Sequence, residues 1–503
     1  MAELAPDGER PFPPGDYPVV IVGSGPGALQ VSASLRRLGV QHAVISADDR
    51  PGGMFRRFPL FQRLITWTKP FAPAERGSRA YEWYDWNSLL GHDPPVRALV
   101  AGFMDGTSYF PSRPEMERGL AAFADTARVA VRYGCRWEGT RREDGGLALA
   151  TSDGEYRCRI AVFAVGMTEP WKPSNIPGIE DVPQYVDTRD ARTYANRRVF
   201  VIGKRNSGFE VADGLLPWAR QVVLASPRPA KISVLTHSTA AARARYLQPY
   251  EDHVLGGGTL VLDAAIERVE RTADGFRIRA GGTTRPGTFS FEVDDCIAAT
   301  GFGTPLGDLE KLGVKTFYQG RLPAQTPYWE SVTAPGVYFA GSITQGSVGL
   351  KKYGMASSSA AVHGFRYNGV VLAEHIASTH FGVELAGRPI DPDTAVDFLL
   401  EEATKAPELW NQQSYLARQL VRSGDGAILD SGIVPLQHFV DEAGPDGMAV
   451  AVETDDTGDI HPAVYLRRGG RTDEHLLSGD PLLDFRRGDH RAQLASLLKE
   501  WMA

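Results

Sequence analysis

The chain has 503 residues, of which 43% are hydrophobic and 23% charged, and its formal net charge is −7 at pH 7. These values are ordinary for a globular protein of two or three domains. The charges form no long run of one sign, which argues against a nucleic-acid-binding stripe or a polybasic membrane patch.

The three cysteines, Cys135, Cys158 and Cys296, form neither a CxxC pair nor a cluster of metal ligands. This spacing favours buried thiols in a reducing compartment over a disulfide framework or a zinc site. Residues 1–16 are polar and proline-rich and lack the pattern of a signal peptide, and no apolar run approaches the ~20 residues of a membrane span. The sequence therefore predicts a cytoplasmic protein without a metal site, a membrane anchor or a nucleic-acid partner.

The first predicted unit starts with an apolar, β-branched strand over residues 17–23. A glycine-rich turn follows, then a helix over 29–38 that stops at Gly39, and a second strand over 41–46. This order is a βαβ unit of the kind that opens a parallel sheet.

The turn has the sequence Gly23-Ser-Gly-Pro-Gly-Ala28. Gly23 permits the tight turn, Gly25 lets the backbone approach a pyrophosphate, and Gly27 and Ala28 allow the helix to pack closely on the strand. The helix start then offers free N–H groups to the phosphates. The unit predicts a dinucleotide site, and a purely structural turn is the alternative.

A ribose-binding acidic residue is expected roughly 20 residues after such a turn. The second strand ends at Ser46, and Asp48 lies two residues later. Either side chain could bind the ribose, and a solvated turn is the competing interpretation of Asp48. Gly52 and Gly53 follow, where glycines let the chain pass close to a flat ring system or form an ordinary turn.

A second βαβ unit is predicted from a strand over 198–203, a helix over 209–220 and a strand over 221–225. Its turn, Gly203-Lys-Arg-Asn-Ser-Gly208, has Arg205 in place of the middle glycine. That side chain would either crowd the phosphate or contact it.

Ser226 and Arg228 lie just beyond the end of this second unit's last strand, where no acidic residue occurs. A guanidinium matches the geometry of a 2′-phosphate, and Ser226 could add a hydroxyl donor. This pattern favours NADPH over NADH. A surface arginine in a proline-rich loop is the alternative for Arg228.

Further strands are predicted at 157–166, 296–301 and 337–341, followed by a small-residue helix around 355–362. The pattern predicts an α/β fold with two Rossmann-like dinucleotide-binding domains. The first domain is discontinuous, over 1–184 and 290–389, and the second, over 185–289, is inserted into it.

Beyond residue 390 the pattern changes. Helices are predicted over 394–404 and 409–421, and a strand over 448–452. We expect residues 390–503 to form an α+β extension, which could be a lid, a dimer element or a structural cap.

With these units in place, the chain resembles the two-dinucleotide-binding flavoproteins, and among them the class B flavin monooxygenases, which include N-hydroxylating enzymes. The resemblance covers roughly residues 17–385. Its carriers are the turn 23–28, the pair Gly52-Gly53, and the segments 109–116, 164–170, 176–178, 203–210, 299–302 and 337–341.

The resemblance implies FAD on the first domain and NADPH on the second. It identifies Gly23, Gly25 and Ala28 with the FAD pyrophosphate turn and places Gly52 and Gly53 near the flavin. Phe61-Gln62 is similar to a flavin-contacting pair of N-hydroxylases, which suggests Gln62 as a flavin neighbour. Arg113, Thr300 and Gly301 fall in matched segments that lie close to the cofactors. The segment that closes over the isoalloxazine is matched by Gly341, Ser342, Gly349 and Leu350, and the nicotinamide dinucleotide would contact Asn206 and Ser207.

The resemblance also has departures. The histidine of the monooxygenase fingerprint corresponds to Ala191, which puts Baeyer–Villiger chemistry in doubt, and the second glycine turn lacks its middle glycine. The aromatic-rich segment 67–86 either lines the flavin or substrate pocket or belongs to the core, the commoner case.

The implied activity is monooxygenation, in which NADPH reduces FAD and a small nucleophilic substrate receives one oxygen atom from O₂. An amine or amino acid is the favoured substrate, and a thioether is the second choice. The flavin carries this chemistry, so no catalytic side chain is nominated. An NADPH-dependent reductase similar to thioredoxin reductase but without a CxxC is the first alternative, and a nucleotide-binding scaffold without turnover is the second. The sequence leaves the oligomeric state open, including a homo-oligomer.

Overall fold

The computed structural model describes residues 10–233, 241–246, 258–318, 320–347, 349–350, 352–353 and 357–502. Within these residues the chain forms two α/β units built on mainly parallel sheets, followed by an antiparallel sheet with its own helices. The predicted fold class, α/β with two Rossmann-like units, is confirmed.

Helices and strands are numbered in chain order. The α-helices of the described residues are α1 Pro26–Arg37, α2 Leu99–Phe103, α3 Arg113–Thr126, α4 Asn206–Leu215, α5 Val362–Phe381, α6 Pro392–Lys405, α7 Pro407–Asn411, α8 Leu436–Asp441 and α9 Gly488–Met502. The 3₁₀ turns are Gly53–Arg56, Arg79–Tyr84, Pro94–Val96, Ile179–Asp181, Tyr185–Asp187, Ala191–Tyr194, Ala244–Tyr246, Gly341–Gly346 and Ser358–Ala360.

The strands are β1 Gly15–Val22, β2 His42–Ser46, β3 Arg132–Tyr133, β4 Trp137–Glu143, β5 Gly146–Thr151, β6 Gly154–Phe163, β7 Glu169–Pro170, β8 Arg198–Ile202, β9 Gln221–Ser226, β10 Thr259–Arg271, β11 Phe276–Gly282, β12 Thr288–Val293, β13 Asp295–Ala298, β14 Phe302–Gly303, β15 Thr316–Phe317, β16 Leu322–Pro323, β17 Val337–Phe339, β18 Arg388–Ile390, β19 Leu416–Arg422, β20 Ile428–Pro435, β21 Gly447–Thr454, β22 Ile460–Arg468 and β23 Arg471–Leu476.

The first sheet has the order β3-β2-β1-β6-β5-β4, and β17 also pairs with β6. β1, β2, β3, β6 and β17 run parallel, while β4 and β5 form an antiparallel meander with β6. The centre of β1 is buried on both faces, as expected for an apolar strand covered by helices. On one of those faces α1 packs against α5.

The second sheet has the order β12-β11-β10-β9-β8-β13. Its first corner repeats the construction of the first sheet: the Gly23 N–H donates to Ile45 O, and the Gly203 N–H donates to Ala225 O, both at 2.8 Å. A helix starts directly after each of these corners. The two fingerprint turns therefore lie at equivalent positions of two similar sheets, each at the carboxyl end of its first strand.

A two-stranded ribbon of β7 and β14 carries the chain from the first sheet to the second and back. The third large sheet, β18-β20-β19-β21-β22-β23, is antiparallel, and apolar residues of α6 and α9 pack against it. The predicted α+β character of residues 390–503 agrees with this arrangement. The predicted domain limits themselves stay a prediction.

Two helices start earlier than the sequence pattern predicts. α1 begins at Pro26 and α4 at Asn206, because each helix follows its turn without a spacer. α4 ends at Leu215, five residues before the predicted end, and Pro217 cannot donate the next helical hydrogen bond. The predicted helix around 355–362 falls partly on residues 354–356, outside the described residues, and α5 begins at Val362.

The predicted helix over 409–421 is wrong beyond its first turn. Helix α7 ends at Asn411, and Leu416–Arg422 forms β19, which pairs with both β20 and β21. Pairing on two sides outweighs the weak helix preference of this stretch. Among the described residues, none of the helices combines the length and apolarity that crossing a membrane requires.

Contact between α1 and the chain after β17 gives a test of this packing. An added Cβ at Gly27 would lie 2.4 Å from Gly341 Cα. We expect Gly27→Ala to lower the free energy of unfolding by roughly 1–3 kcal/mol, because neither backbone can move without disturbing the sheet. Urea denaturation measures this loss. Gly424→Ala, where a Cβ meets nothing within 4 Å, is the control and should retain full stability; an equal loss in both variants would contradict the packing argument.

Candidate functional site

A cavity of about 760 Å³ lies between the first and second sheets. Both fingerprint turns contribute to its wall, as do the loop after β2, the chain after β6 and the segment that follows β17. The predicted site residues that line it are Gly23, Gly25, Gly27, Ser46, Asp48, Gly53, Gln62, Asn206, Ser207, Gly341 and Ser342. Residues nominated on separate stretches of the sequence thus meet at one place.

The floor of the cavity is backbone brought close by glycines. The Gly52 N–H donates to Ser24 O at 3.1 Å, and an added Cβ at Gly53 would lie 2.9 Å from Gly25 Cα. Gly53 also has φ +54°, a left-handed value that glycine adopts readily. The loop after β2 is therefore held directly against the start of α1.

The carboxyl end of β2 carries a short chain of hydrogen bonds. The Ser46 hydroxyl donates to Ser24 Oγ at 3.0 Å, and the Ser24 hydroxyl donates to Asp48 Oδ2 at 2.7 Å. Ser46 is buried, so its hydroxyl orients Asp48 through Ser24. Of the two candidates for the ribose, Asp48 is the one that brings a carboxyl group to the cavity wall.

A carboxyl from the second sheet reaches into the wall opposite. Glu210 lies on α4 and accepts hydrogen bonds from Gln62 Nε2 at 2.8 Å, from the Tyr185 hydroxyl at 2.9 Å and from the Tyr246 hydroxyl at 3.0 Å. Only 7% of Glu210 is exposed. We call Gln62, Tyr185, Glu210 and Tyr246 the Glu210 cluster. It joins the loop after β2 to the second sheet.

Burial raises the pKa of Glu210 to about 7, although the hydrogen bonds from Gln62, Tyr185 and Tyr246 act to lower it. The ordinary value for a glutamate is 4.5. Near neutral pH this carboxyl therefore exists both with and without its proton, which is the state required of a group that takes up and releases protons.

Two observations fit a bound dinucleotide at the first turn. Helix α1 begins at the cavity wall with no side chain capping its N-terminus, which leaves N–H groups for an anion such as a pyrophosphate. Among the described residues, the buried Oε1 atom of Gln62 has no hydrogen-bond partner, as expected of an acceptor that meets a ligand N–H or O–H group.

The second turn brings Asn206 and Ser207 to the cavity, while Gly203 and Gly208 pack against each other behind them. Arg205 precedes α4 and is exposed, so its side chain does not crowd the turn. Ser226 and Arg228 lie at the carboxyl end of β9. Arg228 is exposed there, outside the lining that the described residues form.

The remaining nominated residues lie behind the wall among the described residues. Ala28 is buried in α1. Arg113 donates to the carbonyls of Arg56 and Phe58 and holds the loop after β2. Thr300 donates to Trp171 O, and Gly301 O accepts from the Trp171 N–H, so both brace the ribbon.

Gly349 and Leu350 contact residues of the C-terminal extension. A Cβ on Gly349 would meet the ring of Tyr415 at 2.6 Å, and Leu350 packs beside a cluster that contains Leu436. Neither residue belongs to the described cavity lining. Their predicted contact with the flavin stays a prediction.

The three cysteines are buried and lie away from the cavity lining. Burial raises the pKa of Cys158 to about 12 and also raises the pKa of Cys135 and Cys296. Thiols in this state are inert, because the thiolate is the reactive form. No cysteine of this chain is placed to act as a redox relay beside the cavity.

The sequence analysis did not assign roles to Tyr185, Glu210, Gln345 or Phe365, which all line the cavity. Glu210 had a signal: it is a carboxylate between the apolar residues Phe209 and Val211, two positions after the last glycine of a fingerprint turn. Within the aromatic segment 67–86, Trp67 packs against Trp86 with its ring tilted by 30°, and Trp86 stacks on His363. These rings lie beside the cavity residues Thr66 and Val362.

Comparison with known proteins finds a match to the family model described as pyridine nucleotide-disulphide oxidoreductase over residues 20–341. A curated relative, FAD-dependent oxidoreductase domain-containing protein 2 of Mus musculus, is 24% identical over 79% of this chain, which spans 63% of that protein's length. A ferredoxin–NADP reductase of Salinispora arenicola is 26% identical over 69% of this chain and 92% of its own.

Solved structures of similar fold include the bacillithiol disulfide reductase Bdr from Bacillus cereus, with a TM-score of 0.57 and 20% identity over 73% of this chain and 100% of that one. A flavin-containing monooxygenase from Stenotrophomonas maltophilia has a TM-score of 0.54 and 19% identity over 72% of this chain and 99% of that one. At these identities the likeness concerns the fold.

The buried carboxyl of Glu210 gives a prediction that is independent of activity. Because its pKa is about 7 in the folded protein and 4.5 in a free chain, the folded state binds an extra proton between these values and loses stability as pH rises through them. We expect the unfolding free energy of Glu210→Gln, relative to the unsubstituted protein, to increase by about 2 kcal/mol from pH 5 to pH 8.

Urea denaturation at both pH values measures this difference. Glu267→Gln, at an exposed glutamate of β10 in the second sheet, is the control and should show no such change. If the curves of Glu210→Gln and the unsubstituted protein stayed parallel across this range, the carboxyl would not be held protonated as described.

Proposed function

The chain belongs to the pyridine nucleotide-disulphide oxidoreductase family, and from this premise we propose that it is a monooxygenase that transfers one oxygen atom from O₂ to a small nucleophilic substrate. It is a flavin-dependent oxidoreductase with FAD and NADPH as its cofactors. N-hydroxylation of an amine or amino acid is the favoured reaction, on the likeness of Phe61-Gln62 to N-hydroxylases, and S-oxidation is the second.

One observation carries the proposal: both fingerprint turns open into the same cavity, whose lining among the described residues includes Gln62, Tyr185 and Glu210 and no cysteine. Reducing equivalents that enter this cavity cannot pass to a dithiol of the chain, because all three cysteines are buried elsewhere. The electron acceptor therefore has to come from solution.

The residues of the cavity have separate tasks in this reaction. Bound FAD supplies hydride acceptance from NADPH and the activation of O₂. Gly25 and the start of α1 bind its pyrophosphate, Asp48 its ribose, and Gln62 Oε1 accepts a hydrogen bond from it. Asn206 and Ser207 bind the nicotinamide dinucleotide, and Arg228 binds its 2′-phosphate.

Glu210 is the proton-holding group of the proposed site. Oxygen transfer from O₂ consumes protons, and a carboxyl with a pKa near 7 can supply one at neutral pH and recover it from water. Tyr185 and Tyr246 fix the orientation of its two oxygens. Exclusion of bulk water by the cavity walls favours oxygen transfer over release of peroxide. We also propose a cytoplasmic location, where NADPH is available and buried thiols stay reduced.

A reductase that passes electrons to another acceptor is the second candidate. The observation that favours it is the match to the ferredoxin–NADP reductase of Salinispora arenicola over 92% of that protein. The two candidates differ in whether O₂ is consumed and its atom incorporated.

Coupled turnover tests the proposal. We expect NADPH oxidation to require O₂, to increase with members of an amine and thioether panel, and to yield a product one oxygen atom heavier by mass spectrometry. Gly25→Ala is the cofactor control: its Cβ would lie 3.8 Å from Gly53 Cα, so the fold accepts it, while the pyrophosphate is pushed away. Its FAD content should fall about tenfold or more. Anaerobic NADPH oxidation with a dye or ferredoxin, without an oxygenated product, would support the reductase instead.

The position of Arg228 at the end of β9 gives a prediction on cofactor choice. Loss of a charge-assisted contact to the 2′-phosphate should raise the KM for NADPH roughly 10- to 100-fold in Arg228→Ala and leave the KM for NADH unchanged. Arg220→Ala, at an exposed arginine before the opposite end of β9, is the matched control. Equal changes in the KM values for NADPH and NADH would show that Arg228 does not bind the 2′-phosphate.

A further inference from the structure

The part of the cavity wall that follows β17 is shared with the C-terminal extension. We call the two 3₁₀ turns Gly341–Gly346 and Ser358–Ala360, with the first turn of α5, the cover segment. Its residues that line the cavity include Gly341, Ser342, Gln345, Ala360, Ala361 and Val362. The other side of the cover segment faces residues beyond 390.

Gln412 connects the extension to the cover segment. Its Oε1 atom accepts from the Ser358 N–H at 2.9 Å, and its Nε2 group donates to Ser359 Oγ at 3.0 Å and to Asn368 Oδ1 at 2.6 Å. Gln412 is fully buried, with 0% of its surface exposed. Among the described residues, the partners of this amide are groups of the first α/β unit.

The contacts continue to the cavity itself. Asn368 Nδ2 donates to Thr344 Oγ1 at 3.0 Å and to Ser359 Oγ at 2.9 Å. The Thr344 hydroxyl donates to Gly341 O at 2.7 Å. An unbroken chain of buried hydrogen bonds thus runs from Gln412 through Asn368 and Thr344 to the backbone of a cavity residue.

Two further contacts hold the described residues between the turns. Tyr415 accepts from Trp329 Nε1 at 3.0 Å and lies against Gly349. Lys352 pairs with Glu453 at 2.5 Å and donates to the Tyr465 hydroxyl at 2.8 Å. Among the described residues, the extension therefore contacts Gly349 and Lys352 as well as Ser358 and Ser359.

We propose that the C-terminal extension completes the flavin site, and that Gln412 is the positioning residue through which it fixes the cover segment against the bound flavin. This proposal rests on the proposed function, because it assumes that FAD binds at the first fingerprint turn. It assigns residues 390–503 a role in the site rather than that of a plain cap or a dimer element.

The chemistry of the contact distinguishes positioning from simple covering. Covering the first unit requires only apolar contact, which Leu416 of β19 already provides in the main core cluster. A buried amide with three partners of fixed direction instead specifies one arrangement of the backbone, since each misplaced partner leaves an unsatisfied polar group.

Neighbouring glutamines allow a matched experiment. Gln413 Oε1 accepts from the Thr454 hydroxyl, so its side chain bonds within the extension, whereas Gln412 bonds outside it. We would compare Gln412→Met and Gln413→Met in the full-length protein loaded with FAD. The measurements are the FAD dissociation constant, the visible absorption bands and midpoint potential of the bound flavin, and the melting temperature.

We expect Gln412→Met to raise the FAD dissociation constant about tenfold and to shift the flavin bands and potential. Gln413→Met should bind FAD as the unsubstituted protein does, even where both variants melt at lower temperature. If Gln412→Met does not fold, Gln412→Asn, which keeps the amide but shortens it by one methylene, replaces it with the same expectation.

The proposal is overturned if the Gln412 variant matches Gln413→Met in FAD affinity, spectrum and potential. In that case the unsubstituted protein still binds FAD and the proposed function stands. A protein that binds no FAD before any substitution contradicts the proposed function first, and the role of the extension with it.

Discussion

The site depends on a steric constraint: three separate stretches of backbone meet at distances that only glycine allows. The start of α1 touches the loop after β2 at Gly25 and Gly53, and it touches the chain after β17 at Gly27 and Gly341. A Cβ on Gly53 would lie 2.9 Å from Gly25 Cα and one on Gly27 would lie 2.4 Å from Gly341 Cα, so side chains at these two positions would force the stretches apart. Because the contact is made by backbone, the N–H groups of α1 remain available at the cavity wall. The cavity, its polarity and its position all follow from this meeting.

Opposite this backbone floor, the protein keeps an ionisable group where burial is costly. Glu210 bonds to Gln62 across the two sheets, and burial holds its pKa near 7 in spite of three donors. A glutamine there would avoid the cost of desolvating a charge, but its single amide oxygen would replace the two carboxyl oxygens that accept from Gln62, Tyr185 and Tyr246. A carboxyl retained under these conditions is understood more readily as a proton carrier than as a structural link.

The sequence predicts those features of the site that are set by neighbouring residues, and it misses those that depend on residues distant along the chain. The turns at Gly23 and Gly203 are set by neighbours along the chain, so strand, turn and helix were predictable from pattern alone. The burial of Glu210 depends on Tyr185 and Tyr246, which are distant in sequence and carry no periodic signal. The same limit explains the stretch after Asn411: its helical pattern is local, whereas its pairing with β20 and β21 is not. In the sequence Gln412 is indistinguishable from an ordinary polar residue, because its hydrogen-bond partners at 358–368 are distant along the chain.

The contacts of the C-terminal extension distinguish the first α/β unit from the second. Within the described residues, the hydrogen bonds that side chains of the extension make with the rest of the chain go to the first unit, at Arg79, Trp329, Lys352, Ser358, Ser359 and Asn368. The second unit is joined to the first by the β7–β14 ribbon and by contacts such as Gln62 with Glu210. A change in the angle between the sheets would therefore bend the ribbon and break the Glu210 cluster before it disturbed the cover segment. Under the proposed function, a wall fixed through the extension would keep the flavin side of the cavity constant while the nicotinamide side exchanges its nucleotide.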